Sequence, residues 1–174
     1  AGIHVPIQLL LEPDVDEAPI LYRYNLIPCL SSPEIAKGIA ANLPGKTKVH
    51  VEVDTGMKRV PLDPDGVPGF LHLLESLGKF EVEGIFSHFN SSHIYHNEDA
   101  RRFTLNQLNA FSDMVRHIEA GGRSIPLKHM ASSGAVALYP EAYLNMIRPG
   151  ALLYGFNFHW ADLPLRSALS WKTR

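Results

Sequence analysis

"KVHVEVD", residues 48–54, alternates without a break: Val49, Val51 and Val53 fall on one side of an extended chain, His50, Glu52 and Asp54 on the other. That alternation makes it the clearest strand in the chain. A strand covered by helices is normally apolar on both faces. Here one face would place an imidazole and two carboxylates inside, and buried charges need partners. Arg59, a few residues on, is the candidate partner for Glu52. The competing reading is an edge strand with one wet face.

Outward from this strand, short β-rich runs alternate with helix-like runs. "VPIQLLLE" (5–12) and "NLIPCL" (25–30) read as strands before it. "SSPEIAKGIAANL" reads as a helix, capped by Ser32 with Pro33 in the first turn and Ile35 and Ile39 four apart. "DGVPGFLHLLESLG" (65–78) holds a helix with Phe70, Leu71, Leu74 and Leu77 on one face and Gly78 at its end. "EVEGIFSHF" (81–89) is the next strand. "EDARRFTLNQLNAFSDMVRHIEAGG" (98–122) is the longest helix, with Phe103, Leu108, Phe111, Val115 and Ile118 as its apolar stripe. "IPLKHMAS" (125–132), a short helix near 133–138, and "NMIRPGALLYG" (145–155) complete the series. Six strands alternating with helices imply a parallel sheet covered by helices, either open or closed into a barrel.

The 174 residues suffice for one domain with a substantial core. A net charge of −2 gives no reason to expect a nucleic acid partner. The single cysteine, Cys29, allows no internal disulfide and reads as an inert core thiol. No apolar run approaches the roughly 20 residues that cross a bilayer, so no membrane partner is expected. The start lacks a basic signal-peptide region, and the cytoplasm is the expected location. His72 and His117 fall on helices as surface residues; Trp160 and Trp171 read as packing toward a following domain.

In α/β folds ligand chemistry gathers where strands end. Ionisable and hydroxyl residues recur there: Asp54 and Arg59 in "DTGMKR", His88 in "SHF", His129, Ser132 and Ser133 in "KHMASSG", and Arg148 in "RPGA". One such residue is ordinary loop polarity. Four strands agreeing is harder to dismiss, because independent loops have no reason to agree. The Pro-Gly turn after Arg148 exposes backbone N–H groups suited to a phosphate, and "ASSG" offers hydroxyls and amides as a second anion feature. Arg148 would then be a fixed cation facing the ligand.

The segments "KVHVEVDTGMKR", "GIFSHF", "LKHMASSGA" and "NMIRPGALLYG" resemble the alanine racemase family, in that family's order and rough spacing. "AGIHVPIQLLLEP" and "YNLIPCLSSPEIAKGIA" look like its third and fourth barrel strands. The resemblance implies an α/β fold, a partial (β/α)8 barrel with strands three to eight present and strands one and two missing. It places a pyridoxal 5′-phosphate-binding barrel domain at 1–160 and the start of a C-terminal β domain at 161–174. It implies a homodimer acting on a small amino acid, interconverting L- and D-alanine for cell-wall precursors. Arg148 matches the arginine at the cofactor's pyridine nitrogen, where a fixed cation opposes protonation and favours racemisation over side reactions. Gly150 and Ala151 match backbone phosphate donors, Ser133 the hydroxyl donor, His88 the histidine flanking the ring, and Arg59 the arginine near the phenolic oxygen and substrate carboxylate.

Three departures qualify this. Glu52 stands where the family commonly has a carboxylated lysine, so a glutamate is expected to position Arg59 directly. "KRVP" and "ASSG" replace the usual Arg-Leu-Gly and Ala-Asn-Ser-Ala. The family's Schiff-base lysine, on the first barrel strand, and its tyrosine base, in the C-terminal domain, have no counterpart here. The chain therefore reads as a fragment expected not to racemise by itself. The alternatives are a barrel module that only holds the cofactor, or a racemase for another amino acid such as serine. A metal site from His88, His93 and His96 is disfavoured, because their spacing is no standard ligand set.

Overall fold

The structure, a computed structural model, describes residues 2, 4–156 and 162–172. The strand at the centre of the sequence argument is buried on both faces: Val49, Val51 and Val53 are enclosed, and so are His50 and Glu52. It is no edge strand. Strand β4 (Thr47–Glu52) lies between β3 (Cys29–Leu30) and β5 (Phe80–Phe86). Strands β6 (Leu127–Ser132) and β7 (Met146–Arg148) complete a five-stranded sheet whose spatial order is the chain order. Every pairing is parallel, so each connection must cross over, and helices make the crossovers.

Helix α2 (Pro33–Asn42) starts as read: the Ser32 hydroxyl accepts from the Ile35 amide and Pro33 occupies the first turn. Helix α3 (Val67–Leu77) stops at Gly78, whose φ of 64° needs a residue without a Cβ penalty. Helix α4 (Glu98–Ala120) is capped by the Asn97 side chain, which accepts from Ala100 N at 2.9 Å. The valines of β4, with Ile85 and Met130, pack against Ile39, Leu71, Leu74, Phe111 and Val115 of these helices in one core. Phe103, read as part of the α4 stripe, is 40% exposed. In the N-terminal half of α4 the polar residues Thr104 and Gln107 are buried instead.

Other expectations need correction. The first strand is confined to β1 (Ile7–Gln8), paired in parallel with β2 (Leu26–Ile27) in a separate two-stranded sheet. Beyond that pairing Leu10 and Leu11 are exposed. "NLIPCL" is two strands, β2 and β3, parted at Pro28, which has no N–H to give a ladder. A 3-10 turn, Val15–Glu17, leads into an unanticipated helix α1 (Ala18–Arg23), with Glu17 Oε2 accepting from Asp14 N at 2.9 Å. The apolar run after Pro149 is a 3-10 helix, Ala151–Tyr154, and not an extended strand. Trp171 is 89% exposed. The domain boundary expected at 160/161 and Trp160 lie outside the described residues, and 162–172 contain neither helix nor strand. Among the described residues no helix is long and apolar enough to cross a membrane.

The face of the sheet turned from the helices carries Cys29, His50, Glu52, Phe86 and His129. Register sets them side by side: Cys29 pairs with His50, His50 with Gly84, Glu52 with Phe86, and Phe86 with His129. Gly84 is required there. A Cβ on it would lie 2.5 Å from His50 Cε1. Gly84→Ala is expected to force the buried ring aside and to destabilise the full-length protein by about 1–3 kcal/mol, the usual range for overpacking. Denaturant unfolding measures it, and an unchanged midpoint would show that the ring does not lie against Gly84.

Candidate functional site

At the carboxyl ends of β4 to β7 the chain closes around a cleft of about 410 Å³. His88, Ser133, Arg148, Gly150 and Ala151, all singled out from sequence, line it. Ser132, Gly134, Met57, Asn90 and His93 line it too. Convergence from four strand ends is a consequence of the parallel order, because parallel strands present all their carboxyl-end loops on one side.

Arg148 is the last residue of β7. Its guanidinium turns inward over the sheet end. Nη2 donates to the carbonyls of Ser87 at 2.9 Å and Met130 at 3.2 Å, and faces His88 Nδ1 at 3.3 Å. Nη1 donates to His129 Nδ1. The guanidinium carbon lies 5.1 Å from the centroid of Phe86. Burial lowers the Arg148 pKa to about 10, with Arg59 adding to the decrease and Glu52 opposing it. It remains a cation at neutral pH. Among the described residues its Nε makes no hydrogen bond, so a donor is left on a side chain that lines the cleft.

These bonds dictate proton positions beyond Arg148. A guanidinium only donates, so His129 Nδ1 accepts and its proton sits on Nε2. That nitrogen lies 2.8 Å from His50 Nδ1, which must accept in turn. His50 then carries its proton on Nε2, facing Glu83 Oε2 at 3.6 Å. Donation runs one way, from Arg148 across the sheet toward a carboxylate. The His129 ring stacks on Phe86, with centroids 4.8 Å apart and planes 7° from parallel. Burial lowers the His129 pKa to about 2, helped by Arg148 and His50. Burial lowers that of His88 to about 4, helped by Arg148 and Arg59. Burial lowers that of His50 too, with Glu83 opposing.

Glu52 and Arg59 form the second part of the site. Arg59 Nε donates to Glu52 Oε1 at 3.2 Å, and Nη2 donates to the same oxygen. Asp54 shapes the intervening loop by accepting from Gly56 N at 2.7 Å and Arg59 N at 2.8 Å. Glu52 Oε2 faces the Cys29 thiol at 3.8 Å. Burial, and then Glu52, raises the pKa of that thiol, so it is no nucleophile. Arg59 does not line the 410 Å³ cleft. It stands at its border, near enough to act electrostatically on both His88 and Arg148.

The phosphate features also have a definite geometry. Ser133 Oγ accepts from Leu152 N at 3.3 Å, tying the "ASSG" turn to the residues after Pro149. The amides of Gly150 and Ala151 make no hydrogen bond to a described residue. A Cβ on Gly150 would meet nothing within 4 Å. Two free donors beside open space and a serine hydroxyl form a cradle suited to an anion. No three His, Cys, Asp or Glu among the described residues are grouped to hold a metal.

The sequence reading missed how deep the site goes. His129 appeared only as loop polarity, and His50 only as a buried imidazole needing a partner. Gln107, which bonds the His88 and Asn90 backbone, was not singled out at all.

Fold and site together define an α/β domain with a cleft and a buried cation at the carboxyl end of a parallel sheet. The chain belongs to the alanine racemase family: residues 1–158 match the model of the alanine racemase N-terminal domain. It is 33% identical over 180 residues to an alanine racemase of Halothermothrix orenii, covering 100% of this chain and 46% of that protein. It is 39% identical over 141 residues to alanine racemase 2 of Caldanaerobacter subterraneus subsp. tengcongensis, covering 78% of this chain and 35% of that one. Of solved structures, the alanine racemase of Clostridium difficile 630 in complex with cycloserine superposes with a TM-score of 0.80 at 30% identity, over 90% of this chain and 43% of that one. The chain thus spans less than half the length of these relatives.

The histidine shifts set a pH dependence. Below about pH 6.5 the unfolded chain protonates these histidines while the folded chain keeps them neutral, so the unfolded state binds more protons. Stability should therefore fall as pH drops from about 7 to about 5, and it should go on falling toward the folded values of about 4 for His88 and about 2 for His129. Denaturant titrations across that range check it; a flat profile contradicts the burial of neutral rings. A second check is nitrogen-15 NMR of the imidazoles, which should show His129 and His50 as Nε2–H tautomers at neutral pH. An Nδ1–H tautomer at His129 would rule out the bond from Arg148 and reverse the one between His129 and His50.

Proposed function

We propose that this chain is the cofactor-cradling part of a pyridoxal 5′-phosphate-dependent amino-acid racemase that interconverts L- and D-alanine. The observation that carries the reading is the convergence of Arg148, Ser133, Gly150 and Ala151 on one cleft, with His88 as its wall. The parallel sheet and its helices are read as an arc of a (β/α)8 barrel, with 161–174 leading into a further β domain and a second copy completing a homodimer. The residues present fit the cofactor: free amides and a hydroxyl suit its phosphate, and a cation that only donates suits an unprotonated ring nitrogen.

When bound, the cofactor withdraws electrons from the amino acid and so acidifies its Cα–H. The chain's residues bind and orient. Gly150, Ala151 and Ser133 would hold the phosphate. Arg148 would donate to the ring nitrogen without surrendering a proton, since it stays charged even with its pKa lowered to about 10. His88, neutral at pH 7, would flank the ring without adding charge. Arg59, anchored by Glu52, would bind the substrate carboxylate. The two groups that would exchange the proton, the covalently bound lysine and the tyrosine, are assigned to other parts of the full-length enzyme.

The test is the full-length protein with added pyridoxal phosphate, assayed for conversion of L-alanine to D-alanine and, in parallel, of L-serine. Conversion of alanine supports the reading, preference for serine transfers it to that substrate, and cofactor binding with no conversion of either leaves a holding module in its place. Glu52→Ala should free Arg59 and raise KM for alanine about tenfold or more, the loss of about 1.5–3 kcal/mol expected for a charge-assisted hydrogen bond. An unchanged KM would remove Arg59 from the carboxylate.

A further inference from the structure

Helix α4 covers the sheet with an apolar face, yet one position on that face is a buried amide. Gln107 is 1% exposed. An amide so placed is destabilising unless its donor and acceptor are used. Both are, and on site loops. Oε1 accepts from Asn90 N at 3.0 Å; Nε2 donates to His88 O at 3.2 Å and reaches Thr55 Oγ1 at 3.5 Å. Thr55 Oγ1 in turn lies 2.8 Å from Ser87 Oγ. One side chain from the outer helix thus joins the loop after β4, which carries Met57 and Arg59, to the loop after β5, which carries His88 and Asn90.

Gly56 tightens this joint. Its φ of 138° is closed to most side chains, and a Cβ there would lie 2.8 Å from Phe103 Cζ and 3.5 Å from Gln107 Cγ. The β4 loop therefore packs directly against α4 at the residue that grips the β5 loop. Gln107 itself does not line the cleft, whereas Met57, His88 and Asn90 do.

We propose that Gln107 is a positioning residue: it fixes the His88–Asn90 backbone against the Thr55–Arg59 loop, and so sets the width of the cleft that receives the cofactor. This rests on the reading of that cleft as a pyridoxal phosphate site. A leucine would fill the same space and bury more apolar surface, but it would leave Asn90 N and His88 O without partners. The two loops would then be free to part. The chemistry belongs to the loops; Gln107 acts through them.

The test uses the full-length protein with pyridoxal phosphate as the probe. Wild type, Gln107→Leu, Gln107→Glu and the core control Leu108→Ala are compared by visible-absorbance titration of the cofactor and by hydrogen exchange of the Asn90 amide. Gln107→Leu should weaken cofactor affinity by about tenfold or more, as loss of site alignment implies, and should speed exchange at Asn90. Gln107→Glu keeps the shape and the acceptor for Asn90 N but sets an oxygen against His88 O. It should protect Asn90 and still bind the cofactor weakly, and it carries the test if the leucine variant does not fold. Leu108→Ala, which only loosens the core, should bind as wild type does. Wild-type affinity in either Gln107 variant overturns the proposal, as does equal weakening in Leu108→Ala. Failure of the wild-type protein itself to bind overturns the cofactor reading, and this proposal with it.

Discussion

A guanidinium taken out of water at the end of β7 is the constraint on which the site depends. Arg148 cannot lose its charge at neutral pH, and a buried cation without partners would oppose folding. Its partners come from two other strands: the Ser87 carbonyl just beyond β5, and the Met130 carbonyl and His129 ring of β6. Meeting the needs of one side chain therefore locks three strand ends together. The same contacts aim the guanidinium, because a planar fork with several bonds made has little freedom left.

The electrostatics around it follow from charge arrangement. Arg148 and Arg59 are like charges near one another, and each makes the other less favourable. Glu52 lies between these demands, bonded to Arg59 and stabilising Arg148 at longer range. The neighbouring histidines answer by staying neutral. Burial and then Arg148 oppose a proton on His129 and His88, Arg59 adds to this at His88, and no carboxylate among the described residues offsets it at either ring. Neutral imidazoles can then accept from Arg148, which protonated ones could not. Burial, charge and proton position are one arrangement here.

Parts of this were readable in the chain. Alternation in "KVHVEVD" showed a strand with two different faces; whether the polar face was buried or wet stayed open until the sheet order placed the strand between two neighbours. The Ser32 cap, the Gly78 stop and the polar strand ends are local features written in adjacent residues. Other parts were not readable. Pro28 divides one apolar run between two sheets, which depends on which neighbours the halves meet. Ala151–Tyr154 winds into a 3-10 helix although its composition suits an extended segment, and Leu152 N bonds Ser133 Oγ, a residue 19 positions away that no local pattern points to. Phe103 fits the helical stripe but is partly exposed, its ring against Gly56 of the loop after β4, and Gln107, which breaks the stripe, is the residue enclosed.

By itself the sequence determined the alternation of strands and helices, the parallel order that follows, and the residue types gathered at the strand ends. These depend on periodicity and near-neighbour chemistry, which a linear chain carries. Only the tertiary structure decided which of those residues meet. That His129 accepts from Arg148, that His50 passes over Gly84, and that Gln107 spans two loops are contacts between residues 17 to 52 positions apart. Their geometry is set by strand register and helix placement, which no local pattern specifies.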